Sequence, residues 1–233
     1  MNAVHTRCPD CVRELPAGRF THGEGERLPR HLHRETFATI VLSGHYEEAG
    51  DSGLHRVRAG DVLWHAAWER HLDRFGHGTT EVLVLALHER WPHGVHGRVA
   101  DPDQLALLSE HDPQAVLQAL LQQWQPATPA PMDWPALLAR DLLQDPALRL
   151  DTWSSDHGLH PGSVSRGFRQ VFGLSPQAFR LQARGHLALR RMREGRLKLG
   201  EIAHGCGFAD QAHLNRTLLA MTGMTPGRFS RDL

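Results

Sequence analysis

The sequence predicts an α+β protein in two parts. An N-terminal antiparallel β-barrel precedes an all-α domain in which two helix-turn-helix modules are joined by one long helix. Three observations carry this reading. Residues 19–88 break into short apolar runs ended by glycine, with no helical period. A proline-dense stretch, Pro126-Ala127-Thr128-Pro129-Ala130-Pro131, then interrupts the chain as a stiff linker. Beyond it one unit is written twice: Gly158, Arg166, Phe168, Gly173, Pro176 and Phe179 return as Gly207, Arg216, Leu218, Gly223, Pro226 and Phe229, 49 or 50 residues later.

In the first part, Phe37 to Leu42 is an apolar run stopped by Ser43-Gly44. Asp61 to Trp64 follows Ala59-Gly60, and Glu81 to Leu87 closes the set. Short strands with glycine-marked turns suit an antiparallel barrel or sandwich. From Trp91 the pattern changes. Asp101 to His111 and Asp112 to Trp124 read as two helices, each opened by an Asp-Pro pair. Val116, Leu117, Leu120, Leu121 and Trp124 form a stripe at helical spacing. Either the stripe packs back on the strands or it pairs with a second copy of the chain. The divisions expected are thus 1–98, 99–131 and 132–233.

The second part opens with a helix over Trp134 to Leu143. In the first module Leu150 to His157 forms a short helix, Gly158 supplies the left-handed turn residue and Pro161 starts the next helix. Val164, Phe168, Val171 and Phe172 bury one stripe of that helix. Ser163, Ser165, Arg166 and Arg169 are left on the other faces. Gly173 ends it, and Ser175 before Pro176 caps a long helix reaching Glu194. In the second module Leu199, Ile202 and Ala203 pack, Gly207-Phe208 turns and Asp210 is the N-cap. Leu214 and Leu218 bury, while Gln211, His213, Asn215 and Arg216 face outward.

Charge is hidden in the whole-chain balance, which is zero, with 26 basic and 26 acidic residues. Residues 1–130 hold 12 Arg against 17 Asp and Glu, a difference of −5. Residues 158–231 hold 12 basic against 3 acidic residues, so +9 sits on the duplicated unit. A like-signed surface of that size attracts a phosphate backbone. Gln and Asn pair bidentately with adenine, and Arg with guanine, in the major groove. The expected partner is double-stranded DNA.

Over residues 133–233 the chain resembles the AraC-type transcriptional regulators, on its two turns, two Arg positions and two Gly-x-Ser/Thr-Pro closures in order. The resemblance implies that the second helix of each module enters successive major-groove segments. It places Arg166 in the first module, and Gln211, His213, Asn215 and Arg216 in the second, at base edges. It further implies an effector-sensing domain, RNA polymerase as a partner where the protein activates, and a homodimer contact near the middle of the chain. The sequence departs from the family pattern at His160, where a Ser or Thr cap is usual, and at Gly162. It departs again at Leu218, Leu219 and Ala220, where an aromatic and basic residues are common.

Within the strand region, His31-x-His33, Gly44, Gly60-Asp61 and His71 resemble the double motif of the cupins. Alternation puts His31 and His33 on one face of a strand. Three histidines converging inside a barrel, His31, His33 and His71, could ligate zinc, iron, manganese or nickel, with His65 as a fourth nitrogen. The glutamate ligand of metal-binding cupins falls where this chain has Phe37 and Ala38, and Glu35 is a weak substitute. The other reading is that His31, His33, His65 and His71 line an effector pocket without metal. A metal-dependent cupin enzyme attached to a DNA-binding unit is the alternative from another class; the expectation here is a regulator without catalytic activity.

Composition bounds the remainder. With 233 residues, 40% of them hydrophobic, the chain can bury two cores. It has no stretch of 18 apolar residues and no apolar leader after Met1, so a cytoplasmic protein without membrane contact is expected. Three cysteines make no disulfide framework, although Cys8-Pro9-Asp10-Cys11 with His5 offers half of a zinc site or a redox pair. Eighteen histidines make pH sensitivity near 6.5 credible.

Overall fold

The computed structural model describes residues 11–12, 16–87, 94–128, 131–145 and 147–229. The chain divides into two compact units, Met1–Ala130 and Pro131–Leu233. Among the described residues no helix is long and apolar enough to cross a membrane.

The first unit contains strands β1 (Cys11–Val12), β2 (Gly18–His22), β3 (Arg27–Leu32), β4 (Thr36–Ser43), β5 (His45–Gly50), β6 (Gly53–Arg58), β7 (Asp61–His65), β8 (Arg70–Phe75), β9 (Thr80–Leu87) and β10 (His96–Arg98). Helices α1 (Pro102–His111) and α2 (Pro113–Gln123) follow, then β11 (Gln125–Pro126). The strands form two sheets, ordered β1-β3-β8-β5-β6 and β11-β10-β7-β4-β9-β2. Pairing is antiparallel except between β1 and β3. The expected antiparallel β domain is present, and among the described residues no ladder joins the two sheets, so the barrel is open. Cys8 and His5 of the N-terminal half-site lie outside the described residues.

The largely apolar run of β4 has a physical cause, because the strand is covered on both faces. Val41 packs with Tyr46, Val57, Leu63, Phe75 and Val82 in one cluster. Ala38 and Ile40 face the other way and join Val62, Leu83 and Leu85 against Leu105, Val116 and Leu120 of the two helices. That decides the fate of most of the α2 stripe: Val116, Leu117, Leu120 and Trp124 pack back on the six-stranded sheet, while Leu121 stays exposed. The chain then returns to that sheet through β11, which pairs with β10. Residues 99–126 are therefore built into the first unit rather than forming a separate linker.

Gly44 links β4 to β5 with φ +76, and a Cβ there would lie 2.6 Å from the Thr79 carbonyl oxygen and 2.8 Å from Thr80 Cα. Gly78 has nearly the same φ, +78, but open space around it. Gly78→Ala is expected to lose only the left-handed backbone term, about 1–2 kcal/mol. Gly44→Ala should lose that and more, because its obstacle is backbone that cannot swing aside. Urea denaturation of the two variants side by side measures the difference.

The second unit is helical: α3 (Trp134–Gln144), α4 (Leu150–Asp156), α5 (Pro161–Phe172), α6 (Pro176–Glu194), α7 (Leu199–Gly205), α8 (Gln211–Thr222) and α9 (Pro226–Phe229). Local chemistry sets most boundaries. Pro161 is the first residue of α5, and Gly173 closes it in the left-handed conformation at φ 75. The Ser175 hydroxyl accepts from the Ala178 N–H at 3.3 Å to start α6. The Asp210 carboxylate accepts from the His213 N–H at 2.6 Å to start α8. His160, in place of the usual hydroxyl cap, accepts from the Gly162 N–H through Nδ1 at 3.1 Å.

The two offsets of the repeat acquire a structural explanation. Helices α4 and α7 differ by 49 positions and α5 and α8 by 50, so the second turn, residues 206–210, is one residue longer than the first, residues 157–160. Each turn closes on the same bonds: Leu159 N–H to the Ser154 carbonyl, and Phe208 N–H to the Ala203 carbonyl. Phe168, Phe172 and Phe179 form the aromatic centre of the first module, with Phe168 and Phe172 stacked at 4.4 Å between ring centroids.

Candidate functional site

In the first unit, strand register brings the predicted histidines together. On the five-stranded sheet His31 of β3 stands directly opposite His71 of β8. On the other side of β8, β5 sets Gly50 opposite His71 and Glu48 opposite Asp73. His33 follows just beyond β3. From the facing sheet, register pairs Phe37 of β4 with His65 of β7, and the Phe37 ring stacks on His65 at 4.2 Å. Ring centroids lie 4.9 Å apart for His31 and His33, 4.4 Å for His31 and His71, and 4.9 Å for His65 and His71. All four histidines are buried, at 2–5% exposure.

Sequence reasoning missed Glu48, which is 2% exposed. Its Oε1 lies 3.6 Å from His65 Nδ1. The ligand atoms of His31, His33 and His71 lie within 4.8 Å of one another, and so do those of Glu48, His65 and His71. Glu35, the substitute considered from spacing, is exposed and belongs to neither group. The alternation Tyr46, Glu48, Gly50 marks one face of β5. Nothing local says that β5 pairs with the strand holding His71.

A cavity of about 320 Å³ opens beside the cluster. Phe20, Leu28, Phe37, Tyr46, Phe75 and Val82 give it an apolar body, and His31, His33, His71, Glu48 and Asp73 form a polar end. His65 stands outside this lining. The β7–β8 turn is pinned to the site: the Trp68 N–H donates to the His33 carbonyl at 2.8 Å, and Arg34 lies over the Trp68 ring. Trp68 holds a left-handed backbone at φ 71, a conformation that bulky side chains rarely adopt.

Burial governs protonation here. It pushes the Glu48 carboxyl well up from the usual range, with the Asp73 and Glu69 carboxylates adding to it. It pushes His65 and His71 well down, and neighbouring histidines add to both. His55 is lowered to about 4, first by burial and then by His96. Below about 6.5 the unfolded chain therefore binds protons at these histidines that the folded one refuses. Stability present above that pH should be lost progressively as pH falls from 6.5 towards the depressed values. Glu48 acts in the opposite sense: its contribution declines as pH rises from the unfolded carboxyl value towards its raised one. Thermal melts of the first unit's transition between pH 7.5 and 5 should show a falling midpoint. Glu48→Gln removes the opposing contribution, so a flat profile in that variant would contradict the assigned burial of His55, His65 and His71.

In the second unit Ser163, Ser165, Arg166 and Arg169 are all exposed on α5. On α8, Gln211 and Arg216 are exposed, but His213 and Asn215 are half-buried, which corrects the expectation that all four face outward. The His213 ring meets Phe208 edge-on at 5.3 Å, and Asn215 Oδ1 is buried without a hydrogen-bond partner among the described residues. Both flank the Leu214–Leu218 stripe, so the helix turns them partly inward. Arg166 and Arg216 occupy the sixth position of two twelve-residue helices.

Residues 153–232 match the family described as a helix-turn-helix domain. These residues are an AraC-type helix-turn-helix domain. Such domains are those of DNA-binding transcription regulators. Among solved structures the chain is similar to ToxT from Vibrio cholerae, at 9% identity, covering 94% of this chain and 98% of that one, with a TM-score of 0.42. It is similar also to the C-terminal domain of AraT, a response regulator from Geobacillus stearothermophilus, at 19% identity over 43% of this chain and 89% of that one, TM-score 0.38. A third is the C-terminal domain of the response regulator yesN from Fusobacterium nucleatum, at 26% identity over 40% and 94%, TM-score 0.37. No curated protein matches the chain.

Within the AraC-type domain, α6 holds both modules through two arginines. Arg180 Nη2 donates to the Leu148 carbonyl at 2.5 Å, just ahead of α4. Arg184 Nη1 donates to the Gly207 carbonyl at 2.9 Å, in the turn between α7 and α8. These cations bridge helix to loop, so their contribution to the positive charge is also structural.

Proposed function

We propose that the chain is a sequence-specific regulator of transcription that reads DNA with α5 and α8 and senses a small molecule or metal ion in the cavity of its N-terminal unit. The observation that carries the first half is the equivalence of Arg166 and Arg216. Each is exposed, at the same place in its helix, and neither has a hydrogen bond or ion pair among the described residues. Helices presented this way suit adjacent stretches of major groove, where an arginine pairs with guanine O6 and N7. Phosphate contacts from the surrounding positive surface would fix register and make affinity fall with salt.

Arg166→Ala or Arg216→Ala should weaken binding to the cognate site by about 1–3 kcal/mol and relax preference at one base pair. Competition binding with single-base variants of the site is the measurement. Equal weakening on every sequence would assign that arginine to phosphate instead.

The sensing half is supported by the apolar cavity with its polar end. Occupancy would favour one of two pre-existing states of the protein, with different abilities to hold DNA. His33→Ala and His71→Ala are expected to abolish the regulatory response while DNA binding persists. Genome-wide mapping of bound sites with and without candidate effectors tests both halves together.

A further inference from the structure

We propose that Glu48, His65 and His71 form a site for one divalent transition-metal ion, taking from β5 the carboxylate that the His31-x-His33 strand lacks. The proposal deepens the sensing role and rests on it only for its regulatory meaning.

Three observations converge. The ligand atoms that these residues offer lie within 4.8 Å of one another, and all three residues are buried. The close contact between Glu48 Oε1 and His65 Nδ1, 3.6 Å, crosses from one sheet to the other, so an ion here would tie β5 and β8 to β7. His71 Nδ1 and His65 Nε2 are buried and have no hydrogen-bond partner among the described residues. Buried imidazole nitrogens in native proteins ordinarily have a partner, so the unpartnered His71 Nδ1 points to a missing ligand.

The donor set selects the ion class. Two imidazoles and one carboxylate suit zinc, iron, manganese or nickel, and a three-residue set leaves coordination positions open. Glu48 and His71 also border the cavity, which gives a small molecule with a donor atom access to the ion. The competing group, His31, His33 and His71, shares His71 but contains no carboxylate; the bond from His31 Nδ1 to the Pro29 carbonyl leaves its Nε2 open, so the two groups are separated by the variants below. Both groups draw on His71, so an ion held by one excludes an ion held by the other.

The test uses the full-length protein stripped with a chelator and titrated with Co²⁺, followed by visible absorption, with Zn²⁺ as competitor and elemental analysis for stoichiometry. One tightly bound Co²⁺ per chain is expected. Glu48→Gln, close in shape to the native residue, and His65→Asn should each weaken it by at least about 10–100-fold, the loss that follows from removing even a group behind a metal ligand. His33→Ala, which removes a member of the competing group only, should weaken Co²⁺ binding far less than Glu48→Gln does. Circular dichroism checks each variant's fold, and if His65→Asn unfolds, Glu48→Gln decides.

Loss of binding in His33→Ala with retention in Glu48→Gln would overturn the proposal and place the ion on the H-x-H group. Weak binding unaffected by any variant would overturn it in favour of scattered surface histidines. No DNA is needed for this measurement, so a negative result leaves the DNA-reading role standing. Failure of the unaltered protein to select a DNA sequence would sink that role and leave the metal site untouched.

Discussion

Phe168→Ala should cost the AraC-type domain about 3–5 kcal/mol. Phe168 is fully buried at 0% exposure, stacks on Phe172 and meets Phe179 edge-on at 5.4 Å. Truncation removes the apolar area of the ring and leaves a cavity beside the Phe172 and Phe179 rings. A domain of this size has a stability of roughly 5–15 kcal/mol, so the loss is a large share of the total. Urea denaturation of the variant is the check, and a change below about 1 kcal/mol would mean that the core collapses to fill the space. Leu218 occupies the equivalent place in the second module and is likewise buried, so Leu218→Ala should cost about 2–5 kcal/mol.

Leu187→Pro is expected to break α6 and uncouple the two modules. Leu187 lies in the interior of a nineteen-residue helix. Proline there removes one backbone hydrogen bond and drives its ring against the preceding turn, at about 3 kcal/mol or more. Helix α6 lies against α3, α5, α7 and α8, and its Arg184 clamps the second turn from the N-terminal side of Leu187, so a kink at residue 187 pulls against that bond. Binding to a full site should fall strongly. Because Leu219 and Ala220 on α8 lack the cationic side chains common in the family, the surviving footprint should be the half read by the first module. Footprinting of wild type and variant measures this, and survival of the opposite half alone would reverse the ranking of the modules.

Helix limits in the second unit were legible because they are written locally. Pro161, Gly173, Ser175-Pro176 and Asp210 each act within one helical turn of where they stand, through fixed φ, left-handed backbone or a side chain satisfying an unpaired N–H. Even the change of offset from 49 to 50 reports a single extra residue in one turn. The histidines were legible from the H-x-H spacing, although β3 ends at Leu32 and His33 reaches the cluster from just beyond it.

What the sequence could not determine depends on which distant segments pair. Glu48 joins the site only because β5 pairs with β8, a choice made by packing across both sheets and not by any residue near Glu48. Whether the sheets close, and whether the α2 stripe meets a strand or a second chain, turn on the same long-range choice. The inward set of His213 and Asn215, and the capture of Arg184 by the Gly207 carbonyl, follow from how α8 and α6 lie against each other. Local signals by themselves determined the order of the elements, the repeated module and the residues able to do chemistry. Tertiary structure alone decided which of those residues meet, because a contact between remote segments is set by the pairing of whole surfaces and leaves no mark at a single position.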